Sequence, residues 1–276
     1  FLFVQRAGTS GFTAVGRDLA GVSTVSDWIS DLAVDASGQL YAATNHVLFS
    51  GGTLYESWCA LSRWVISGMF KRALPSGSWS RVAYPPTGSD WTAPTAVTGD
   101  GAGNLYAVWG SYTTGVLYYY NATANTWTAK AAPSTTLSLE QLTWADGKLY
   151  AVGTTSGGVW SMVRYDPTAN SWTARSAPPV ATSAAGAGLS WSWDGYNHIY
   201  LLKGDGTNDI CRYRIDTNVW ESLPGPGINM TVSRGPALAR IGSYLYAYGT
   251  PGAYGSTNLY RYGILPASDL RLTMDN

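Results

Sequence analysis

Two tripeptides carry the most suggestive chemistry in this chain: Ser26-Asp27-Trp28 and Ser89-Asp90-Trp91. An indole beside a carboxylate suits a sugar, because the ring covers an apolar C–H face while the carboxylate accepts hydroxyl hydrogens. The same residues also fit a repeated turn, with Asp27 and Asp90 capping it and the two Trp rings wedged between sheets. A second aromatic group, Tyr55, Trp58 and Trp64 with Cys59, falls in a stretch of about 46–64 that interrupts an otherwise regular pattern. Within it Thr53-Leu-Tyr-Glu-Ser-Trp58 alternates apolar and polar residues, which predicts a projecting hairpin. Tyr112, Asp205, Asn208, Asp209 and Tyr254 complete the candidate ligand contacts, each of them also an ordinary turn or surface residue.

Catalytic constellations are hard to assemble from this chain. There is no Gly-x-Ser-x-Gly, no phosphate-cradling glycine loop and no His-Glu-x-x-His. Its two histidines are His46 and His198, and its two cysteines, Cys59 and Cys211, have no Cys-x-x-Cys or Cys/His spacing. Buried thiols or one long-range disulfide are the two readings of that pair. The stretch 204–209, Gly-Asp-Gly-Thr-Asn-Asp, lacks the spacing of a calcium loop and reads as a turn. We therefore expect no catalytic residue, no metal and no cofactor. Paired carboxylates brought together from distant segments are the one enzymatic alternative.

Composition narrows the partners. Charged residues make up 12% of the 276, and 17 basic residues balance 17 acidic ones, so no net field attracts nucleic acid or an anionic membrane. No apolar run approaches the roughly 20 residues that span a bilayer. The chain opens on Phe1 rather than Met, from which we expect a processed or truncated product, extracellular or surface-displayed.

The elements that must position these residues show themselves as repeats. Tyr120-Asn-Ala-Thr-Ala-Asn125-Thr-Trp127 returns as Tyr165-Asp-Pro-Thr-Ala-Asn170-Ser-Trp172, and more loosely from Tyr213 through Asn218 to Trp220. Between these copies lies a second motif, seen as Gln39-Leu-Tyr41-Ala, Asn104-Leu-Tyr106-Ala, Lys148-Leu-Tyr150-Ala, His198-Ile-Tyr200-Leu and Tyr244-Leu-Tyr246-Ala. Alternation marks strands, and Asp146-Gly147 and Asp194-Gly195 supply the positive-φ pairs that tight hairpins need. Each repeat thus predicts four antiparallel strands: an inner strand, the Leu-Tyr-Ala strand, a Tyr-bearing strand and an outer strand opened by Trp. Such a sheet cannot bury both faces alone, but sheets stacked around an axis can. The recurring Trp127, Trp172 and Trp220 are then structural parts.

A period of about 40 to 50 residues with a Tyr-Asp-Pro turn before a Trp resembles the kelch repeat. The resemblance departs where the family has paired glycines after the second strand; here stand Trp109-Gly110, Gly153-Thr154 and Gly249-Thr250. It implies one all-β, kelch-like β-propeller over 1–276, with N- and C-terminal strands pairing to close the ring. Outer-strand pairs occur six times, counting 1–15 with Phe12 at the Trp position and 258–274, and inner pairs five times. Six blades follow from the first count, five with a spare hairpin from the second. The resemblance further implies that the loops after each second strand and between blades form the ligand face. Kelch-like copper radical oxidases use two His, two Tyr and a Tyr linked to Cys, whereas His46 and His198 fall on opposite sides of their second strands and are expected toward opposite faces.

These readings lead us to expect a non-catalytic module that recognises a protein or a glycan through one loop face. The alternatives are a decoration protein of a virus particle, appendage or surface layer, docking through its 46–64 insertion, and a carbohydrate-active enzyme.

Overall fold

The computed structural model describes residues 3–5, 12–14, 28–34, 39–45, 48–49, 64–65, 68–73, 80–86, 94–109, 115–133, 137–179, 189–202, 210–224, 237–241, 244–249, 258–264 and 272–273. The chain divides into two compact units, Phe1–Ala132 and Pro133–Asn276.

In the first unit the strands are β1 (Phe3–Gln5), β2 (Phe12–Ala14), β3 (Trp28–Val34), β4 (Gln39–Asn45), β5 (Leu48–Phe49), β6 (Trp64–Val65), β7 (Gly68–Ala73), β8 (Ser80–Arg81), β9 (Pro94–Gly99), β10 (Leu105–Trp109), β11 (Val116–Asn121) and β12 (Thr126–Ala129). Two four-stranded sheets run β3-β4-β7-β8 and β9-β10-β11-β12, and β1-β2 and β5-β6 form two-stranded ladders. All pairings are antiparallel, and all join strands successive in the chain except β4 and β7, between which β5 and β6 intervene. Met69 and Val82 from the first sheet pack with Val97, Ala107, Trp109, Tyr118 and Trp127 of the second.

The second unit repeats the plan three times: β13 (Leu137–Ala145), β14 (Lys148–Thr155), β15 (Trp160–Asp166), β16 (Ser171–Arg175); β17 (Ser190–Trp193), β18 (His198–Leu202), β19 (Ile210–Arg214), β20 (Val219–Leu223); β21 (Ala237–Ile241), β22 (Tyr244–Gly249), β23 (Asn258–Gly263), β24 (Leu272–Thr273). Tyr150, Val152, Trp160 and Met162 face Trp191, Ile199, Leu201 and Tyr213 across one cleft. Tyr200, Leu202 and Ile210 face Leu238, Leu245, Ala247 and Tyr262 across the next. First strands lie beside first strands, β13 by β17 and β17 by β21, as they do in the first unit for β3 and β9. Each unit is therefore a propeller-like array of four-stranded antiparallel blades, and each Leu-Tyr-Ala motif is the second strand of its sheet.

Two expectations change. A sixth blade is not among the described ladders: β1 and β2 have the register of an outer pair, Gln5↔Phe12 matching Tyr120↔Trp127, but no inner pair joins them. Nor do the described ladders include a pairing of N- with C-terminal strands, since β1 pairs with β2 and β24 with β23.

The repeated Tyr and Trp residues explain why the array holds. Asn125, Asn170 and Asn218 sit at φ of 54°, 47° and 58°, the left-handed region that Asn tolerates better than most residues. The turned amide accepts the hydroxyl of the preceding Tyr at 2.8, 2.7 and 2.8 Å. Each Tyr ring in turn lies against the Trp that opens the outer strand, at 4.8, 5.1 and 5.3 Å between centroids. Two copies reach the preceding sheet as well. Trp127 Nε1 donates to Ala83 O and the Ala83 N–H donates to Asn125 Oδ1; Trp220 Nε1 donates to Ser176 O at 2.8 Å and the Ser176 N–H to Asn218 Oδ1 at 3.0 Å. The motif is a latch between successive blades.

Candidate functional site

The first strand of several blades breaks its own alternation at one place. Ile29-Ser-Asp-Leu32 and Leu139-Glu-Gln-Leu142 put two polar residues between apolar ones, and the ladders shift there, leaving Ser30 and Glu140 as the extra residues of β-bulges. In β9 the shift falls at Thr95, whose hydroxyl lies 3.5 Å from the Val108 carbonyl oxygen. A bulge bends its strand and re-aims a side chain, which is why bulges gather at functional rims.

In the first unit the bulged strands β3 and β9 are neighbours, β9 lying beside β3 and β4. Trp28 is the first residue of β3 and pairs with Asn45, the last of β4. The long connection 46–67 leaves from that same end and is gathered near its base by the ladder Leu48↔Val65, Phe49↔Trp64. Elsewhere the second and third strands are joined by only 110–115, 156–159, 203–209 and 250–257. Trp28 thus begins the β3-β4-β7-β8 sheet at the end from which the connection leaves, and Trp64 begins the second strand of the separate two-stranded ladder within that connection. Asp27, Tyr55, Trp58, Cys59, Asp90, Trp91, Tyr112, Asp205, Asn208, Asp209, Tyr254 and His46 lie outside the described residues.

In the second unit the bulge residue is itself a carboxylic acid. Glu140 is half-buried, accepts the Thr154 hydroxyl at 2.9 Å, and is pushed above the usual carboxylate range by burial, with Thr154 opposing. The backbone beside it is close: a side chain on Gly153 would run into the Ser138 carbonyl, so this glycine is required by the bulge. Sequence reasoning passed over Glu140, although the doubled polar residues in Leu139-Glu-Gln-Leu142 mark the bulge.

The opposite ends of these sheets are built differently. Asp146-Gly147 is a two-residue hairpin with φ of 48° and 68°, as expected. Asp194-Gly195 is not its copy: only Gly195 has positive φ, at 83°, while the buried Asp194 carboxylate accepts the N–H groups of Tyr196 and His198 at 2.7 and 3.1 Å and lies 3.0 Å from His198 Nδ1. A side-chain acceptor here stands in for turn geometry. Tyr196, two-thirds exposed, stacks on the Arg240 guanidinium of the next sheet, which Gly195 admits by having no side chain. Cys211 is buried in β19. Among the described residues no three His, Cys, Asp or Glu side chains come together as a metal site.

No family model matches this chain, and no curated protein matches it.

Proposed function

We propose that this chain is a non-catalytic binding module of kelch-like propeller type, extracellular or surface-displayed, which takes a protein or glycan at the bulged end of β3 and β9. The observation that carries the reading is that one long connection, 46–67, leaves the sheet end that Trp28 begins, while other connections between second and third strands are short. Repeated sheets give a rigid support, and binding residues concentrate on loops held by such supports. On this reading Asp27, Trp28, Asp90 and Trp91 are the sugar contacts, and Tyr55, Trp58 and Trp64 of the excursion are further ligand contacts.

A glycan array run with the intact chain and with a Trp28→Ala/Trp91→Ala double variant tests this. We expect selective binding by the former and a loss of about tenfold or more in the latter, since aromatic anchors dominate such contacts. No sugar signal from the intact chain withdraws the glycan ligand and leaves protein.

The excursion also favours a second reading, a decoration protein of a larger assembly for which 46–64 is the docking element. Deleting 46–64 should then abolish incorporation into the assembly while leaving the melting transition in place.

A further inference from the structure

On the face of the β13–β16 sheet that looks toward β17–β20, three side chains line up across one rung: Tyr150, Arg164 and Thr173 are consecutive cross-strand partners. One rung along, Arg175 pairs with Met162, so Arg164 and Arg175 are diagonal neighbours on the same face. The Tyr213 ring closes the cleft from the other sheet, 6.1 Å from Tyr150. Both phenols are buried, and both guanidinium groups act electrostatically on both of them. Burial raises both phenols while the arginines oppose it, and Tyr213 is pushed up to about 12.

Among the described residues the two arginines have no acidic counterpart. Each Nε is buried and makes no hydrogen bond among the described residues, and neither guanidinium has a carboxylate within ion-pairing distance there. The nearest acid along the strand, Asp166, is committed to Lys148 Nζ at 2.8 Å and to the N–H groups of Thr168 and Ala169. Asp146 is near enough to raise Tyr150 electrostatically. Two like charges held side by side and partly desolvated repel, and each carries fork-shaped donors whose complement is an oxyanion. Both residues remain part-exposed, so the cleft is open to a small ion from solvent.

We propose that Arg164 and Arg175, with the Tyr150 hydroxyl beside them and the Tyr213 ring closing the cleft, form an oxyanion site between the β13–β16 and β17–β20 sheets. Its ligand is a single sulfate, phosphate or carboxylate group, free in solution or carried on an acidic sugar. Its residues all belong to the second unit, and it does not depend on the ligand proposed for the bulged end of β3 and β9.

The test is calorimetric titration of the full chain with inorganic sulfate and with phosphate at constant ionic strength, alongside melting curves in sulfate against chloride. Saturable binding is expected, with affinity falling about tenfold or more in Arg164→Gln and in Arg175→Gln, because charge-assisted paired bonds are lost. Arg175→Lys keeps the charge and should keep part of the affinity. Thr173→Glu supplies an internal carboxylate and should remove the sulfate response while the chain still melts cooperatively. Absence of saturable binding to either ion, or equal affinity in the intact chain and Arg175→Gln, overturns the proposal. A parallel arm with a sulfated oligosaccharide distinguishes the sources: tighter, Arg175-dependent binding than inorganic sulfate means the group arrives on a sugar, and equal binding means a free ion.

Discussion

Two clefts of the second unit share a rung and differ in charge. Between β13–β16 and β17–β20 the rung is Tyr150, Arg164, Thr173; between β17–β20 and β21–β24 it is Tyr200, Arg212, Glu221. The tyrosine and arginine recur in register, and each second-strand Tyr meets a third-strand Tyr of the next sheet, Tyr213 or Tyr262, at 6.1 Å. Only the third position changes. Glu221 accepts from Arg212 Nε at 2.6 Å, so that rung is neutral within itself, whereas Thr173 gives Arg164 no carboxylate, and two residues along the outer strand Arg175 stands where the second cleft has Leu223. The packing geometry therefore does not dictate how charge is closed. Two positions on the outer strand, Thr173 and Arg175 against Glu221 and Leu223, decide whether the arginine is satisfied by the chain or left with a second arginine for an ion.

The clefts also differ in fastening. The first is crossed by the Asn218 and Trp220 latch on Ser176. The second has Ser190 Oγ accepting the Leu238 N–H at 2.8 Å and Tyr196 on Arg240.

The largest expected effect breaks the latch. Asn218→Ala puts a Cβ residue at φ 58° and removes the acceptor of two hydrogen bonds, for a loss of about 2–4 kcal/mol in denaturant unfolding. Asn218→Gly keeps the backbone and should lose roughly half of that. An Asn218→Ala chain as stable as its parent would show that the first cleft is not latched. The equivalent cut in the second cleft, Ser190→Ala, should cost only about 1 kcal/mol.

Exchanging the rung residues comes next. Glu221→Thr strips Arg212 of its partner and should cost about 1 kcal/mol, the pair being part-exposed, while giving the second cleft a sulfate response that the parent lacks there. If Glu221→Thr leaves the sulfate response unchanged, the two rungs are not interchangeable.

Alkaline titration should affect both clefts alike. Tyr213 and Tyr262 are each pushed from 10 to about 12, chiefly by burial. The folded chain then holds these protons where the unfolded chain has released them, so stability should be level below about pH 10 and fall between about pH 10 and 12. Tyrosinate absorbance across that range should show one late-titrating residue fewer in Tyr213→Phe. The smallest effect is Tyr196→Ala, about 0.5 kcal/mol from an exposed cation–π contact, with no change in sulfate affinity.

How much of this was legible varies by residue. The Tyr, Asn and Trp of the latch recur at fixed spacing, and spacing is what sets strand register, so their structural part could be read directly. Their reach to Ala83 and Ser176 could not, because it joins segments that meet only when sheets stack. The polar doublet in Leu139-Glu-Gln-Leu142 announces a bulge to a reader counting alternation, yet the half-buried state of Glu140 depends on what covers it. Asp146-Gly147 and Asp194-Gly195 look alike in sequence and fold apart, because Asp194 answers the N–H groups of Tyr196 and His198.

The amino-acid sequence alone determined that this chain makes four-stranded antiparallel sheets marked by Tyr and Trp, since alternation, turn residues and repeat length act locally. Only the tertiary structure decided which charges meet. Arg164, Arg175, Tyr150 and Tyr213 come from four different strands, and a charge's cost or use depends on neighbours and burial that no local pattern encodes.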